Sequence, residues 1–246
     1  MSNLIQPGWS INAFFYELLQ SKLIHSIDGY IIGELSGQGI LDKDSVRGVD
    51  FGSGTGDLTL KIARDLLQRG RTDARVYSVE NDPLMNEKLK TRLRKLESRS
   101  HTRGIERLIS PIRGNLYGPI IDTIATETQG IDFAIFKRCL YSDKEKVKGI
   151  IKRTYDQLKP DGNIFIVHPE ADFNTYCDNG FGKLAPLHVM RWAWAQLGKE
   201  LGLVEYQRYT QSELVDLCQT ACPDANIKRH FPQRPAYNLV QIQKAA

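Results

Sequence analysis

The sequence predicts a doubly wound α/β protein on a seven-stranded, mostly parallel sheet, with a helical cap before the first strand and an insertion after the fifth. Three observations predict it. An apolar run, Val46 to Phe51, stops at a turn with glycines at alternate positions (Gly52, Gly54, Gly56), and an amphipathic helix pattern follows directly. From residue 46 onward, strand-like and helix-like stretches alternate to the end, as a parallel sheet covered on both faces requires. Carboxylates also close the first two strands, Asp50 and Glu80, at the edge where open α/β sheets bind ligands.

Each element has its own signal. Before the sheet, Ile11, Phe14, Phe15, Leu18 and Leu19 follow helical spacing behind Ser10 as N-cap. Leu23, Ile24, Ile27, Tyr30, Ile31 and Ile32 continue that character to Gly33. These make residues 1–45 a cap and residues 46–246 the core. The first strand covers about 46–51 and its helix about 56–69, with Leu58, Leu60, Ile62, Ala63, Leu66 and Leu67 on one face. Arg75–Glu80 is the second strand; Pro83 then suits a first helical turn, where its missing N–H costs nothing. The third strand is expected at about 107–112, the fourth at Ile131–Phe136 and a helix at about 143–158. Leu158-Lys159-Pro160-Asp161-Gly162 reads as a turn before the fifth strand, Asn163–His168. Residues 169–202 form the insertion: an aperiodic, Asn-, Gly- and aromatic-rich stretch, then a helix through Val189, Met190, Trp192 and Leu197. Thr210 with Glu213 makes a capping box for a helix from Gln211 to Ala221. Ile227–Phe231 and Tyr237–Gln243 close the sheet.

Composition narrows the function classes. At 41% hydrophobic and 25% charged, the 246 residues suit one soluble globular domain. No apolar run is long enough to span a membrane and no secretion signal opens the chain, so a cytoplasmic protein is expected. Cys139, Cys177, Cys218 and Cys222 are scattered without companion histidines, which argues for reduced thiols and against a metal site. A net charge of +4 is too mild to imply a nucleic-acid partner. The local excess on Lys88, Lys90, Arg92, Arg94, Lys95 and Arg99 reads first as a solvated helix face.

The glycine turn carries the chemistry. Dinucleotide sites space glycines G-x-G-x-x-G to seat a pyrophosphate. Here the spacing is G-x-G-x-G after Asp50, and a carboxylate there suits a cationic or hydrogen-bond-donating ligand better. Val49-Asp50-Phe51-Gly52-Ser53-Gly54-Thr55-Gly56 resembles the first motif of the class I S-adenosylmethionine-dependent methyltransferases, in which the acidic residue and the glycine turn surround the methionine part of the cofactor. Glu80 is placed to accept from a ribose diol, Asn115 matches the family's contact to the adenine amino group, and Leu158–Gly162 looks like its L-K-P-G-G turn with Asp161 in place of a glycine. The resemblance covers roughly residues 46–168 and 204–243 and implies an antiparallel last strand. It implies S-adenosylmethionine as cofactor, held by Asp50, Gly52, Ser53, Gly54, Gly56, Glu80, Asn81, Asn115 and Lys137.

Phe136-Lys137-Arg138-Cys139-Leu140-Tyr141 replaces the Asn/Asp-Pro-Pro-aromatic motif of methyltransferases that act on exocyclic base amines or glutamine amides. No Asp and Asn set for a catechol-type Mg²⁺ enzyme is present either. The expected function is methyl transfer to a small-molecule or short peptide-like acceptor. The rivals are a protein or RNA acceptor, and a nucleotide-binding protein without transferase activity. If the acceptor must lose a proton, His168 at the end of the fifth strand is the first candidate base. Tyr141, Glu170 and His188 follow it. Lys137 and Arg138 could also pair with an anionic acceptor, and Tyr176, Phe181, Trp192 and Trp194 could wall it in. The oligomeric state has no signature in the sequence.

Overall fold

The computed structural model describes residues 22–169, 209–230 and 237–245. The helix expected at Ile11–Leu19, the insertion beyond residue 169 and the candidates Glu170, His188, Tyr176, Phe181, Trp192 and Trp194 lie outside these residues.

Seven strands form one sheet in the order β3-β2-β1-β4-β5-β7-β6. They are β1 (Arg47–Phe51), β2 (Arg75–Glu80), β3 (Ile109–Arg113), β4 (Ile131–Lys137), β5 (Leu158–Pro169), β6 (Asn226–His230) and β7 (Tyr237–Gln243). β7 runs antiparallel to both neighbours, β5 and β6, and the remaining pairs are parallel. Every residue of β4 is buried, as a central strand with both faces covered demands.

Two apolar layers cover the sheet. On one face lie α1 (Lys22–Gly37), α2 (Asp57–Gln68), α3 (Pro83–Glu97) and the single turn α4 (Ile105–Leu108). On the other lie α5 (Ile120–Thr128), α6 (Lys144–Asp156) and α7 (Gln211–Ala221). α1 buries Ile27, Ile31 and Leu35 in the same cluster as Phe133, Phe165 and Val167 of the central strands. Phe51 and Phe136 stack on the opposite face, ring centroids 4.7 Å apart. These alternating faces fix where each strand-end side chain points.

The local signals act as the sequence implies. The Asp82 carboxylate accepts from the Leu84 and Met85 N–H groups, with Pro83 in the first turn of α3. Thr210 and Glu213 form the reciprocal capping box of α7. Three details differ from expectation. α5 had no counterpart in the sequence reading. Residues 105–108 coil into a helical turn, so β3 starts at Ile109. β5 begins at Leu158: the expected turn is a register shift inside the strand, with Asp161 at φ 61° in the left-handed region.

Candidate cofactor and acceptor site

The site starts where β1 ends. Gly52, Gly54 and Gly56 all take positive φ, at 61°, 58° and 79°. Gly52 and Ser53 hang from β2 by donating to the Val79 carbonyl, and Gly56 N–H closes the turn on Ser53 O at 2.9 Å. A Cβ on Gly56 would strike Leu89 Cδ1 at 2.4 Å, whereas one on Gly54 would meet nothing within 4 Å among the described residues. Gly54 is therefore the point of the turn that faces open space. Arg92 of α3 clamps the loop from outside, donating to the Thr55 carbonyl at 2.9 Å and pairing with Asp57 at 2.6 Å. That takes one cation of the basic helix out of the solvated face.

Beneath the turn, Asp50 is buried. Its Oδ2 accepts from the Thr59 hydroxyl at 2.6 Å, but its buried Oδ1 has no hydrogen-bond partner among the described residues. Loss of solvent pushes its pKa up to about 6, against the opposing pull of the Lys137 ammonium and the Thr59 hydroxyl. A buried carboxylate oxygen without a donor costs free energy, so a ligand that brings a donor is favoured there.

Glu80 ends β2 and ties the two loops together. Oε2 accepts from Gly54 N–H at 2.8 Å and Oε1 from Asp82 N–H at 2.9 Å. Burial holds its carboxyl above the usual range, partly countered by those N–H groups. Each carboxylate oxygen has capacity for more than one donor, so these bonds orient Glu80 without exhausting it. Asn81 is exposed beside it, and Ser53 accepts from Ser78 Oγ at 2.6 Å. Asn115 is exposed after β3, and its Oδ1 accepts from Tyr117 N–H at 3.0 Å, an Asx turn that fixes the side chain.

Lys137, at the end of β4, is buried. Its buried ammonium pairs with Asp28 Oδ1 at 2.8 Å, and Asp28 Oδ2 takes Lys61 of α2 at 2.6 Å. Asp28 itself, on α1, is fully buried. Neither Asp28, Lys61 nor Thr59 was identified from the sequence. The available signal was an acidic residue between Ile27 and Ile31, on the apolar face of its helix.

On the acceptor side, His168 is placed differently from a base that faces an acceptor. It is completely buried, and its Nε2–H donates to the Leu140 carbonyl at 2.9 Å, since a carbonyl can only accept. The Tyr141 and Tyr209 rings flank it at 5.5 and 5.3 Å. Tyr209 in turn donates to the Ser142 carbonyl. His168 and Tyr209 thus hold the segment after β4, in which Tyr141 stays half-buried and partly accessible. Among the described residues no three His, Cys, Asp or Glu side chains converge as a metal site, and no helix is long and apolar enough to cross a membrane.

No protein-family model matches the sequence, nor does any curated protein at a significant level. Solved structures match the fold. The methyltransferase domain of bacterial CtHen1-C superposes with a TM-score of 0.62 at 13% identity, over 92% of this chain and all of that one. An O-methyltransferase family protein from Burkholderia thailandensis gives 0.56 at 14% identity, over 89% of this chain and 57% of that one. The mitomycin 7-O-methyltransferase MmcR gives 0.52 at 19% identity, over 81% of this chain and 49% of that one. The chain therefore has the class I methyltransferase fold, and it spans about half the length of the last two proteins.

Proposed function

We propose that this chain binds S-adenosylmethionine and transfers its methyl group to a small-molecule or short peptide-like acceptor. The observation that carries the cofactor assignment is the buried Asp50 Oδ1, without a donor among the described residues, under a glycine turn whose Gly54 meets none of them within 4 Å of an added Cβ. The residues present fit the group. Asp50 would accept from the cofactor's amino group, the Gly52–Gly56 turn would lie against its methionine part, and Glu80 would accept from its ribose. Asn81 and Asn115 would border the adenosine. When bound, the cofactor supplies a methyl already activated on sulfonium.

The protein then has to align the acceptor and exclude water. Tyr141 and Arg138, after β4, are the described residues nearest to that task. Tyr141 would orient an acceptor hydroxyl or take its proton, with His168 holding the segment behind it.

Calorimetric titration with S-adenosylmethionine, S-adenosylhomocysteine and NAD tests the cofactor. Micromolar binding of the two sulfur compounds, none of NAD, and a loss of about 1–3 kcal/mol in Glu80→Ala are expected. Binding of NAD alone would overturn it. Tight binding to RNA in modest salt would move the acceptor from a metabolite to a macromolecule.

A further inference from the structure

Four elements converge under the glycine turn on one set of charges. In β1 and β4, Phe51 pairs with Phe136 and Asp50 with Ile135. Strand alternation therefore puts Lys137 on the same face as Asp50, opposite the stacked phenylalanines. α2 supplies Thr59 to Asp50 and, two residues on, Lys61 to Asp28. α1 supplies Asp28 itself, whose two oxygens are divided between Lys61 and Lys137. Loss of solvent, with the Asp50 and Glu80 carboxylates nearby, pushes the Cys139 thiol well above its ordinary pKa.

We propose that Asp28 and Lys137 are positioning residues of the cofactor site: Asp28 pins the Lys137 ammonium on the face of the sheet that carries Asp50, while Asp50 Oδ1 is left for the cofactor's amino group. The inference rests on the cofactor assignment above. Both halves of the pair are needed. Without the ammonium, Asp50 would stand buried beside Asp28 and Glu80, and would take up a proton instead of accepting from a ligand. Without Asp28, the buried ammonium would lose its anion and would compete with the ligand for the Asp50 carboxylate on the same face of the sheet. The α1 helix is accordingly part of the cofactor site, although it contributes no cofactor contact through Asp28.

The two substitutions consequently have opposite signatures. The probe is S-adenosylhomocysteine, titrated calorimetrically from pH 5.5 to 8.5. Asp50 is followed in ligand-free protein by ¹³C carboxyl NMR, assigned with Asp50→Asn. In the native chain, affinity should fall as pH drops through about 6. Lys137→Met should move that midpoint and the Asp50 titration up by more than about one pH unit, with affinity at pH 7 reduced at least about tenfold and partly recovered at pH 8.5. Lys137→Arg should restore most of the native profile. Asp28→Asn should weaken binding at every pH and move the Asp50 titration down.

An unchanged midpoint and affinity in Lys137→Met would overturn the proposal. Should that variant not fold, an unchanged Asp50 titration in Asp28→Asn would overturn it equally. If the native chain binds no S-adenosylhomocysteine at any pH, the cofactor assignment has failed. The carboxyl titrations of ligand-free protein still decide whether Lys137 governs Asp50.

Discussion

Gly54 and Gly56 sit two residues apart in one turn, both left-handed, yet alanine should harm them for different reasons. A non-glycine residue in that region costs about 1–2 kcal/mol, and both substitutions incur it. At Gly56 the new methyl also lies 2.4 Å from Leu89 Cδ1 and 3.2 Å from Cδ2, and Leu89 is fully buried. Overpacking of that kind adds about 1–3 kcal/mol, so Gly56→Ala should lose about 2–5 kcal/mol of stability. Gly54→Ala has no such clash and should lose only the backbone component. Its methyl instead projects into the space assigned to the ligand, so affinity for S-adenosylhomocysteine should fall at least about tenfold, or about 1.4 kcal/mol. Urea unfolding reads the first quantity and calorimetry the second. If Gly54→Ala binds as tightly as the native chain, no ligand lies on the turn. If Gly56→Ala is no less stable than Gly54→Ala, the packing against Leu89 does not constrain the loop.

Two further outcomes test the site. The Asp50 pKa of about 6 in the folded chain lies above the 3.8 of a free carboxyl, so the folded state keeps a proton that the unfolded state releases. This contribution to stability is full at low pH and is lost as pH rises through about 6; it is worth up to about 3 kcal/mol. Asp50→Asn should therefore be less destabilised than the native chain on going from pH 5 to pH 8, in urea midpoints, while losing cofactor affinity; parallel pH profiles would refute this. His168→Gln keeps a side-chain donor for the Leu140 carbonyl, so turnover should fall less than about tenfold with an unshifted pH–rate profile. Loss of the acidic limb of that profile, or a fall of about 10²–10⁴, would reinstate His168 as a general base.

Much of the architecture was legible because it follows from short-range chemistry. The glycine turn, the Asp82–Pro83 start of α3 and the Thr210–Glu213 box each specify a backbone state with residues a few positions apart. The α5 helix is not legible in the sequence because its composition argues against it. Gly118 and Pro119 precede it, and three threonines interrupt it. Those hydroxyls turn back onto the helix, Thr126 to the Asp122 carbonyl and Thr128 to that of Ile124, both at 2.8 Å. Ile121, Ile124 and Ala125, buried against the sheet, hold the helix despite its weak propensity. The start of β3 is hidden for a related reason. Gly104, at φ 95°, opens a helical turn whose N–H groups are taken by the Glu97 carboxylate seven and nine residues back.

The candidate site divides along the same line. Asp50, the glycines and Glu80 are recognisable because strand, turn and helix put them in a fixed local order. Asp28 and Lys137 are 109 residues apart, and Asp28 and Lys61 are 33 apart. An acid on a helix reads as a solvated residue until the fold lays that helix across β4 and β5. What marks the cluster is an imbalance visible only in three dimensions. Asp28 has a cation for each oxygen, while Asp50, buried on the same face, has a donor for one oxygen and, among the described residues, none for the other. A fold selected only for stability would remove that second carboxylate or complete its hydrogen bonds, since an unsatisfied buried charge costs several kcal/mol in general. Keeping it poised beside an anchored lysine makes physical sense if a cationic group completes the set, and S-adenosylmethionine carries one.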